Sequence, residues 1–312
     1  MKRFSIGALA VLALAASMPL IFHNEYFFFA AYVVLQFVVL ATAWNILGGY
    51  AGYVNFGSGA FFAVGAYTAV ALYKAFALPL GLQILAGAAA SGLLGFGVGM
   101  LTLRLRGIFF SIATIAVAII LETVVVNWSY VGGAKGLPIM RPTETPFFAN
   151  HTVWLFFVMT LIAVVAVGAA RFVETSWIGR GLRAIRDNEV AAECSGVPTL
   201  KLKLAAATLS GALMGAAGAP YAQYLSFVEP TSTFSLNYAI NALAMPIIGG
   251  MGHWIGPLIG ALLLGSVQQI VTVTISSEIN VLVVGVMLVV FVVAAPEGIL
   301  GLFRKFFPRR KS

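Results

Sequence analysis

Arg180, Arg183, Arg186, Asp187, Glu189, Glu193, Lys201 and Lys203 all fall within Ile178–Lys203, in a chain whose charged residues make up only 9% of the whole. Their types and spacing suit recognition rather than catalysis. On a helix surface, Arg183 and Asp187 are four apart and Arg186 and Glu189 three apart, so each pair can meet. Ala184, Ile185, Val190 and Ala191 would add an apolar patch. Gly196 would end such a helix and Pro198 would block its continuation. A short amphipathic helix of this kind either lies on a membrane surface or inserts into a groove on a soluble partner.

Elsewhere the reactive inventory is thin. Glu122 is the one acid placed well inside an apolar stretch, and an intramembrane carboxylate is costly enough to suggest a function. It would accept a proton, pair with a basic group on another helix, or line a path; alternatively it lies one turn from the outer interface, near Asn127, and reaches water. The polar residues Asn45, Ser111, Thr114, Thr208, Ser210, Asn237, Asn241 and Gln268 are mild. Amides and hydroxyls among apolar side chains suit passage of a neutral or zwitterionic solute, although each taken singly also reads as a helix–helix hydrogen bond. Gly48–Gly59, with Gly48, Gly49, Asn55 and Ser58, holds too many glycines and polar groups for a simple spanning helix. It reads either as a pore-lining or gate-proximal turn or as an interfacial loop. There is no G-x-x-x-x-G-K-[ST] run, no H-E-x-x-H, and Ser58 does not sit in a G-x-S-x-G elbow. His23, His151 and His253 are far apart, so the expectation is no catalytic set, no metal and no cofactor.

The elements carrying these residues are membrane spans. Of the 312 residues 61% are hydrophobic, and the mean hydropathy is +1.00, well beyond the ~45–50% apolar content of soluble domains. Ten apolar segments approach the roughly 20 residues a span needs. They lie near Ser5–Phe22, Phe27–Leu47, Gly59–Tyr73, Leu82–Leu103, Ile108–Asn127, Thr152–Arg171, Leu204–Leu225, Leu236–Gly250, Ile255–Val273 and Ile279–Ala295. Backbone groups have no water partners in lipid, so these are helices. The third and eighth are short, as broken or tilted spans would be.

Basic residues orient the chain. With the N-terminus inside, Lys2, Arg3, Arg104, Arg106, Arg171, Arg180, Arg183, Arg186, Lys201, Lys203, Arg304, Lys305, Arg309, Arg310 and Lys311 are cytoplasmic, which is 15 of the 18 basic residues. Only Lys74, Lys135 and Arg141 fall outside. Both termini are therefore expected inside, and the +8 net charge needs no nucleic-acid partner. Met1–Leu20 has the layout of a signal peptide but is read as a retained first helix. The lone Cys194 allows no intrachain disulfide and reads as an unreactive thiol.

Residues 1–312 read as a single transmembrane domain with two long connections, an outer one at 129–151 and an inner one at 173–203. Ile46–Gly52 is echoed weakly by Ile247–Gly252, which fits either internal duplication or chance. Gly95/Gly99, Gly211/Gly215 and Gly256/Gly260 place small residues on one helix face, for packing within the chain or at a subunit interface.

Arg183-Ala-Ile-Arg186-Asp187-Asn-Glu189-Val-Ala-Ala-Glu193-Cys-Ser-Gly196-Val resembles the coupling-helix region of ABC-importer membrane subunits. Asn45–Tyr67, Arg104-Leu-Arg106-Gly107, Ala216-Ala-Gly-Ala-Pro-Tyr221-Ala-Gln-Tyr224 and Ile247-Ile-Gly249-Gly250-Met-Gly252 with Gly256-Pro257 resemble the branched-chain amino-acid permeases of the LivM type. The resemblance covers about residues 40–300. It implies an all-α ABC-importer permease fold of about ten transmembrane helices in a bacterial inner membrane, not an enzyme in itself. It also implies partners: a second related permease subunit, two cytoplasmic ABC ATPase subunits that bind the ATP, and a periplasmic substrate-binding protein. Arg180, Arg183, Arg186, Asp187, Glu189, Glu193 and Gly196 would then couple to the ATPase, and Asn45, Gly48, Gly49, Asn55, Ser58, Glu122 and Asn241 are pathway or gate candidates. The chain departs from the family after Gly52, where Tyr53, Asn55-Phe56-Gly57 and Ser58 replace the usual Gln and Ser-Leu-Gly-His-like run, and again at Glu122, where a basic residue is expected. Those departures leave open a permease for urea or another small amide, or a secondary carrier using Glu122. If ATP supplies the drive, Glu122→Gln retains transport.

Overall fold

The computed structural model describes residues 2–22, 24–105, 107–139, 150–274, 279–295 and 297–306. Arg106, Arg141, Arg309, Arg310 and Lys311 of the charge distribution, His23, and residues 140–149 of the outer connection lie outside them.

In chain order the helices are α1 (Lys2–Ile21), α2 (Glu25–Ala51), α3 (Ser58–Phe76), α4 (Leu80–Thr102), α5 (Ile108–Val126), α6 (His151–Thr175), α7 (Trp177–Cys194), α8 (Thr199–Gly218), α9 (Tyr221–Leu225), α10 (Pro230–Thr233), α11 (Leu236–Gly249), α12 (Ile255–Thr274), α13 (Ile279–Ala294) and α14 (Gly298–Phe306). Among the described residues nine helices are long and apolar enough to cross a membrane. The chain is a multi-pass helical membrane protein. The ten expected segments are all helical, and one departs from expectation. The third is not short: α3 has 19 residues, about 28 Å at 1.5 Å per residue. The eighth is short, as expected: α11 has 14 residues, about 21 Å against a hydrocarbon layer of ~30 Å. The irregular stretch from α9 to Ser235 completes its path.

α2 is the axis. Every residue from Val38 to Ala51 is buried, as expected of a helix apolar on all sides. It packs against α6, α8, α11 and α12. α1, α5 and α13 lie outermost and turn Leu14, Ile120 and Val293, among others, outward; in lipid this exposure carries no hydrophobic penalty.

α3, α4 and α8 approach more closely than side chains would permit. A methyl group added at Gly215 would lie 2.5 Å from the Gly87 carbonyl oxygen, and one at Gly65 would lie 2.5 Å from the Gly215 Cα. Gly95 and Gly211 close the same α4–α8 seam, against Ala207 and Ser91, and Gly256 and Gly260 pack on the α11 backbone at Gly250 and Met245. The small-residue faces serve packing within the chain. Gly215→Ala is therefore expected to cost about 1–3 kcal/mol through overpacking. Gly97→Ala, where the added carbon meets nothing within 4 Å, is expected to be neutral or stabilising by up to ~1 kcal/mol. Thermal unfolding of the two purified variants checks the contrast.

The bundle has two unlike ends. At one, β1 (Leu137–Pro138) pairs antiparallel with β2 (Phe227–Val228), joining the α5–α6 connection to the stretch after α9. The Lys74 ammonium there donates to the Tyr130 carbonyl at 2.7 Å. The opposite end carries α7.

Candidate functional site: the α7 end and two membrane cavities

α6 passes into α7 through one residue, Ser176, in extended backbone (φ −80°, ψ 173°). α7 turns Leu182, Ile185 and Ala192 inward, while Arg180, Asp187 and Glu193 face outward. Ile185 is thus not part of an outward apolar patch; Val190 and Ala191 are exposed. The expected single helix is kinked at Asn188 (φ −163°, ψ 107°). The Asn188 Oδ1 accepts from the Ala191 N–H at 3.1 Å, so Asn188 caps the second half of α7. The kink changes the ion pairing expected from helical spacing. Arg183 donates to the Glu174 carbonyl (3.4 Å), Asp187 lies 3.8 Å from Arg186, and Glu189 turns to Lys203. As expected, α7 closes at Gly196 (φ +81°), a conformation that glycine adopts without penalty. The Val197 N–H reaches back to the Ala192 carbonyl at 3.0 Å, and α8 starts after Pro198.

Lys203 is the one fully buried charged side chain among the described residues, 3% exposed. Its ammonium donates to Glu189 Oε1 (2.5 Å), to the Tyr53 hydroxyl (3.0 Å) and to the Leu103 carbonyl (3.0 Å). All three of its donors are used. The Tyr53 hydroxyl donates in turn to Glu189 Oε2 at 2.5 Å, and the Tyr53 ring lies 4.7 Å from the ammonium. One buried knot therefore fastens α7 to α8, to the end of α4 and to the stretch between α2 and α3. Burial makes such a charge costly unless every partner is in place.

A second clasp holds the ends of α2 and α11. The Arg186 Nη1 donates to the Gly49 carbonyl at 2.9 Å. Asn45 Oδ1 accepts from the Gly252 N–H (3.2 Å), and its amide nitrogen donates to the His253 carbonyl (3.4 Å). The two glycine-rich echoes, Ile46–Gly52 and Ile247–Gly252, thus meet face to face, with Gly49 and Gly252 in close approach. Glu174 Oε2 accepts from the Trp254 N–H (2.6 Å) and the Tyr50 hydroxyl (3.2 Å), and His253 Nε2 lies 3.8 Å from Glu174 Oε1. The Arg171 guanidinium packs on Phe4 (5.0 Å) and Trp254 (5.2 Å), which ties α1 to the same end.

Contrary to expectation, Gly48 and Gly49 do not break α2. The helix runs to Ala51 and turns at Gly52 (φ +77°). Gly48 makes room for the Trp44 ring. The true break is Gly52–Gly57, whose polar backbone is satisfied by its neighbours. Trp44 Nε1 donates to the Asn55 carbonyl (2.8 Å), Ser111 Oγ to the Val54 carbonyl (2.8 Å), and the Phe56 N–H to Thr114 Oγ1 (3.1 Å). Asn55 Oδ1 accepts from the Gly57 N–H at 2.7 Å, and Ser58 Oγ donates to the Asn55 carbonyl. Broken backbone survives in lipid only when covered in this way.

Glu122 and Asn241 belong elsewhere. Glu122 lines a cavity of about 310 Å3 between α5, the start of α3 and the α10–α11 junction. Asn241 accepts from Gln268 Nε2 (2.7 Å) and lines a separate cavity of about 260 Å3 with Asn237. Asn45, Gly49 and Arg186 are thus brought together, Asn55 and Ser58 form one turn, and Glu122 and Asn241 stand apart from both. The sequence reading counted Lys203 only among the cytoplasmic charges and Tyr53 only as a departure from the family, and it gave Glu174 and Trp254 no role. A weak signal for Lys203 exists: it is followed by Leu204–Leu209, so a lysine at this point of α8 already lies inside an apolar element. No three His, Cys, Asp or Glu side chains converge to hold a metal among the described residues. The α7 end is a polar element tied to α8, to the end of α4, to the Gly52–Gly57 stretch and to the end of α2.

The sequence profile of the family described as the permease component of the branched-chain amino acid transport system matches residues 26–292. The high-affinity branched-chain amino acid transport system permease protein LivM of Salmonella typhimurium (strain LT2) is 27% identical over 303 residues, covering 88% of this chain and 70% of that protein. LivM of Escherichia coli (strain K12) is 28% identical with the same coverage. A probable branched-chain amino acid transport permease protein LivH of Methanocaldococcus jannaschii is 29% identical over 216 residues, covering 64% of this chain and 66% of that protein. No solved structure matches.

Proposed function

Because the chain belongs to the branched-chain amino acid transport permease family, we propose that it is the membrane-spanning subunit of an ATP-driven importer for hydrophobic, branched-chain amino acids in a bacterial inner membrane. On this reading both termini and the α7 end face the cytoplasm. Two ATPase subunits dock on α7, a second related permease completes the pathway, and a periplasmic receptor delivers the solute at the β1–β2 end. This chain holds no cofactor of its own and performs no catalysis; the ATP belongs to its partners.

The observation that carries the reading is the fastening of α7. Arg180, Asp187 and Glu193 are exposed, Asp187 beside Arg186 and Glu193 accepting from the Thr199 hydroxyl, and this face is the one offered to a soluble partner's groove. The inward charges of α7, Arg183, Arg186 and Glu189, are tied to Glu174, Gly49 and Lys203. Force on the outer face would reach the ends of α2, α4 and α8 and the α11–α12 turn together. Asn45, Gly48, Gly49, Asn55 and Ser58 lie at or beside the moving joints, and Glu122 and Asn241 line cavities along the solute's route.

The expected result is co-purification with a Walker-motif ATPase, and leucine uptake into proteoliposomes only when that ATPase and ATP are present. Concentrative uptake by this chain alone would overturn the proposal in favour of a secondary carrier.

A further inference from the structure

The Glu122 cavity joins three features. Two breaks in neighbouring elements meet there, since α3 begins only at Ser58 and α11 only at Leu236, with the Ser235 carbonyl 3.0 Å from where a Gly59 methyl would sit. Its lining is mostly apolar, with Ile119 of α5, Phe234 and Leu236 among the walls and Thr231 and Ser235 also lining it. Its one charge is the Glu122 carboxylate, for which no hydrogen bond or ion pair is found among the described residues. A carboxylate inside a span calls for a partner. About 310 Å3 lies at the lower end of the ~300–1,000 Å3 range of small-molecule sites. The complementary molecule is small, carries a primary ammonium, and has an aliphatic side chain.

We propose that this cavity is a station for the solute inside the membrane, where the ammonium of an aliphatic α-amino acid pairs with Glu122 and its side chain lies against Ile119 and Leu236. The inference rests on the importer reading and adds the group that is recognised. The deaminated acid of the same shape is repelled, because only a carboxylate meets it.

The test uses the assembled transporter in nanodiscs with Cys194→Ser, which removes the sole cysteine of this chain, and Ala118→Cys in the cavity wall; Ile119→Cys serves if Ala118→Cys fails to assemble. An ammonium-bearing methanethiosulfonate is expected to label at least about tenfold faster than its sulfonate counterpart, since opposite charges a few ångströms apart attract strongly away from bulk water. Leucine protects and 4-methylpentanoate does not. With Glu122→Gln added, the preference falls to within about twofold and leucine no longer protects; Glu122→Asp keeps both. Equal labelling rates with Glu122 present, no labelling by either reagent, or leucine protection that survives Glu122→Gln each overturn the proposal. ATP-driven leucine uptake by the same assembly in proteoliposomes separates the two levels. If uptake is intact and protection absent, this site fails and the importer reading stands; if no aliphatic amino acid is taken up, the reading itself fails.

Discussion

Replacing Lys203 with methionine is expected to destabilise the folded protein by about 3–5 kcal/mol, the usual cost of removing one partner from a buried ion pair. The substitution takes the Lys203 ammonium from Glu189, itself only 13% exposed, and from the Leu103 carbonyl. Lys203→Met combined with Glu189→Gln is expected to recover most of that loss, because a pair replaced as a unit by neutral side chains is often tolerated. Tyr53→Phe removes one charge-assisted hydrogen bond and is expected to cost about 1.5–3 kcal/mol. The unfolding midpoints of Lys203→Met, Glu189→Gln and their combination form a coupled cycle, with strong non-additivity expected for side chains that share partners. A midpoint unchanged by Lys203→Met would show that the knot is not closed in the membrane. The knot also bears on function: the recovered double variant keeps its fold but lacks the tie from α7 to Tyr53, so on the importer reading it hydrolyses ATP with less solute moved per turnover.

Arg183→Glu with Arg186→Glu is expected to abolish uptake, by at least about 100-fold, or roughly 2.7 kcal/mol in the coupled step, with the protein still inserted. Arg186 donates to the Gly49 carbonyl and Arg183 to the Glu174 carbonyl. Carboxylates at both positions would face those oxygens, and the Glu174 and Glu189 side chains nearby, with like charge. The clasp on the ends of α2 and α11 opens, while no residue of a span changes and insertion is unaffected. Membrane-fraction recovery and uptake, measured in the same cells, check both halves. Normal uptake in the double variant would count strongly against α7 as the lever.

The spans were legible in the sequence, mostly to within a few residues, because a bilayer imposes one length and one polarity on whatever crosses it. The α7 segment was legible for the complementary reason: charges crowded between apolar blocks have only an aqueous edge to occupy, and Gly196-Val-Pro198 marks a stop that depends on local backbone chemistry alone. The shortness of α11 was legible, since Leu236–Gly250 is a short apolar run. What failed was every statement about pairing. Helical spacing put Arg183 with Asp187 and Arg186 with Glu189, yet a single extended residue, Asn188, rotates the second half of α7 and hands Glu189 to Lys203. Gly48 and Gly49 looked like a break and are helical, because the Trp44 ring and Gly252 occupy the space their missing side chains leave.

The sequence by itself determined that this chain lives in lipid, where along it the apolar helices lie, and where its charge gathers, since each follows from local composition and the thickness of a bilayer. Only the tertiary structure decided that Lys203 is buried with Glu189, that two distant glycine-rich turns meet under Arg186, and that Glu122 faces a cavity. Those facts depend on which helices become neighbours, and in lipid that choice is made by close packing of small residues far apart in the chain rather than by any local pattern.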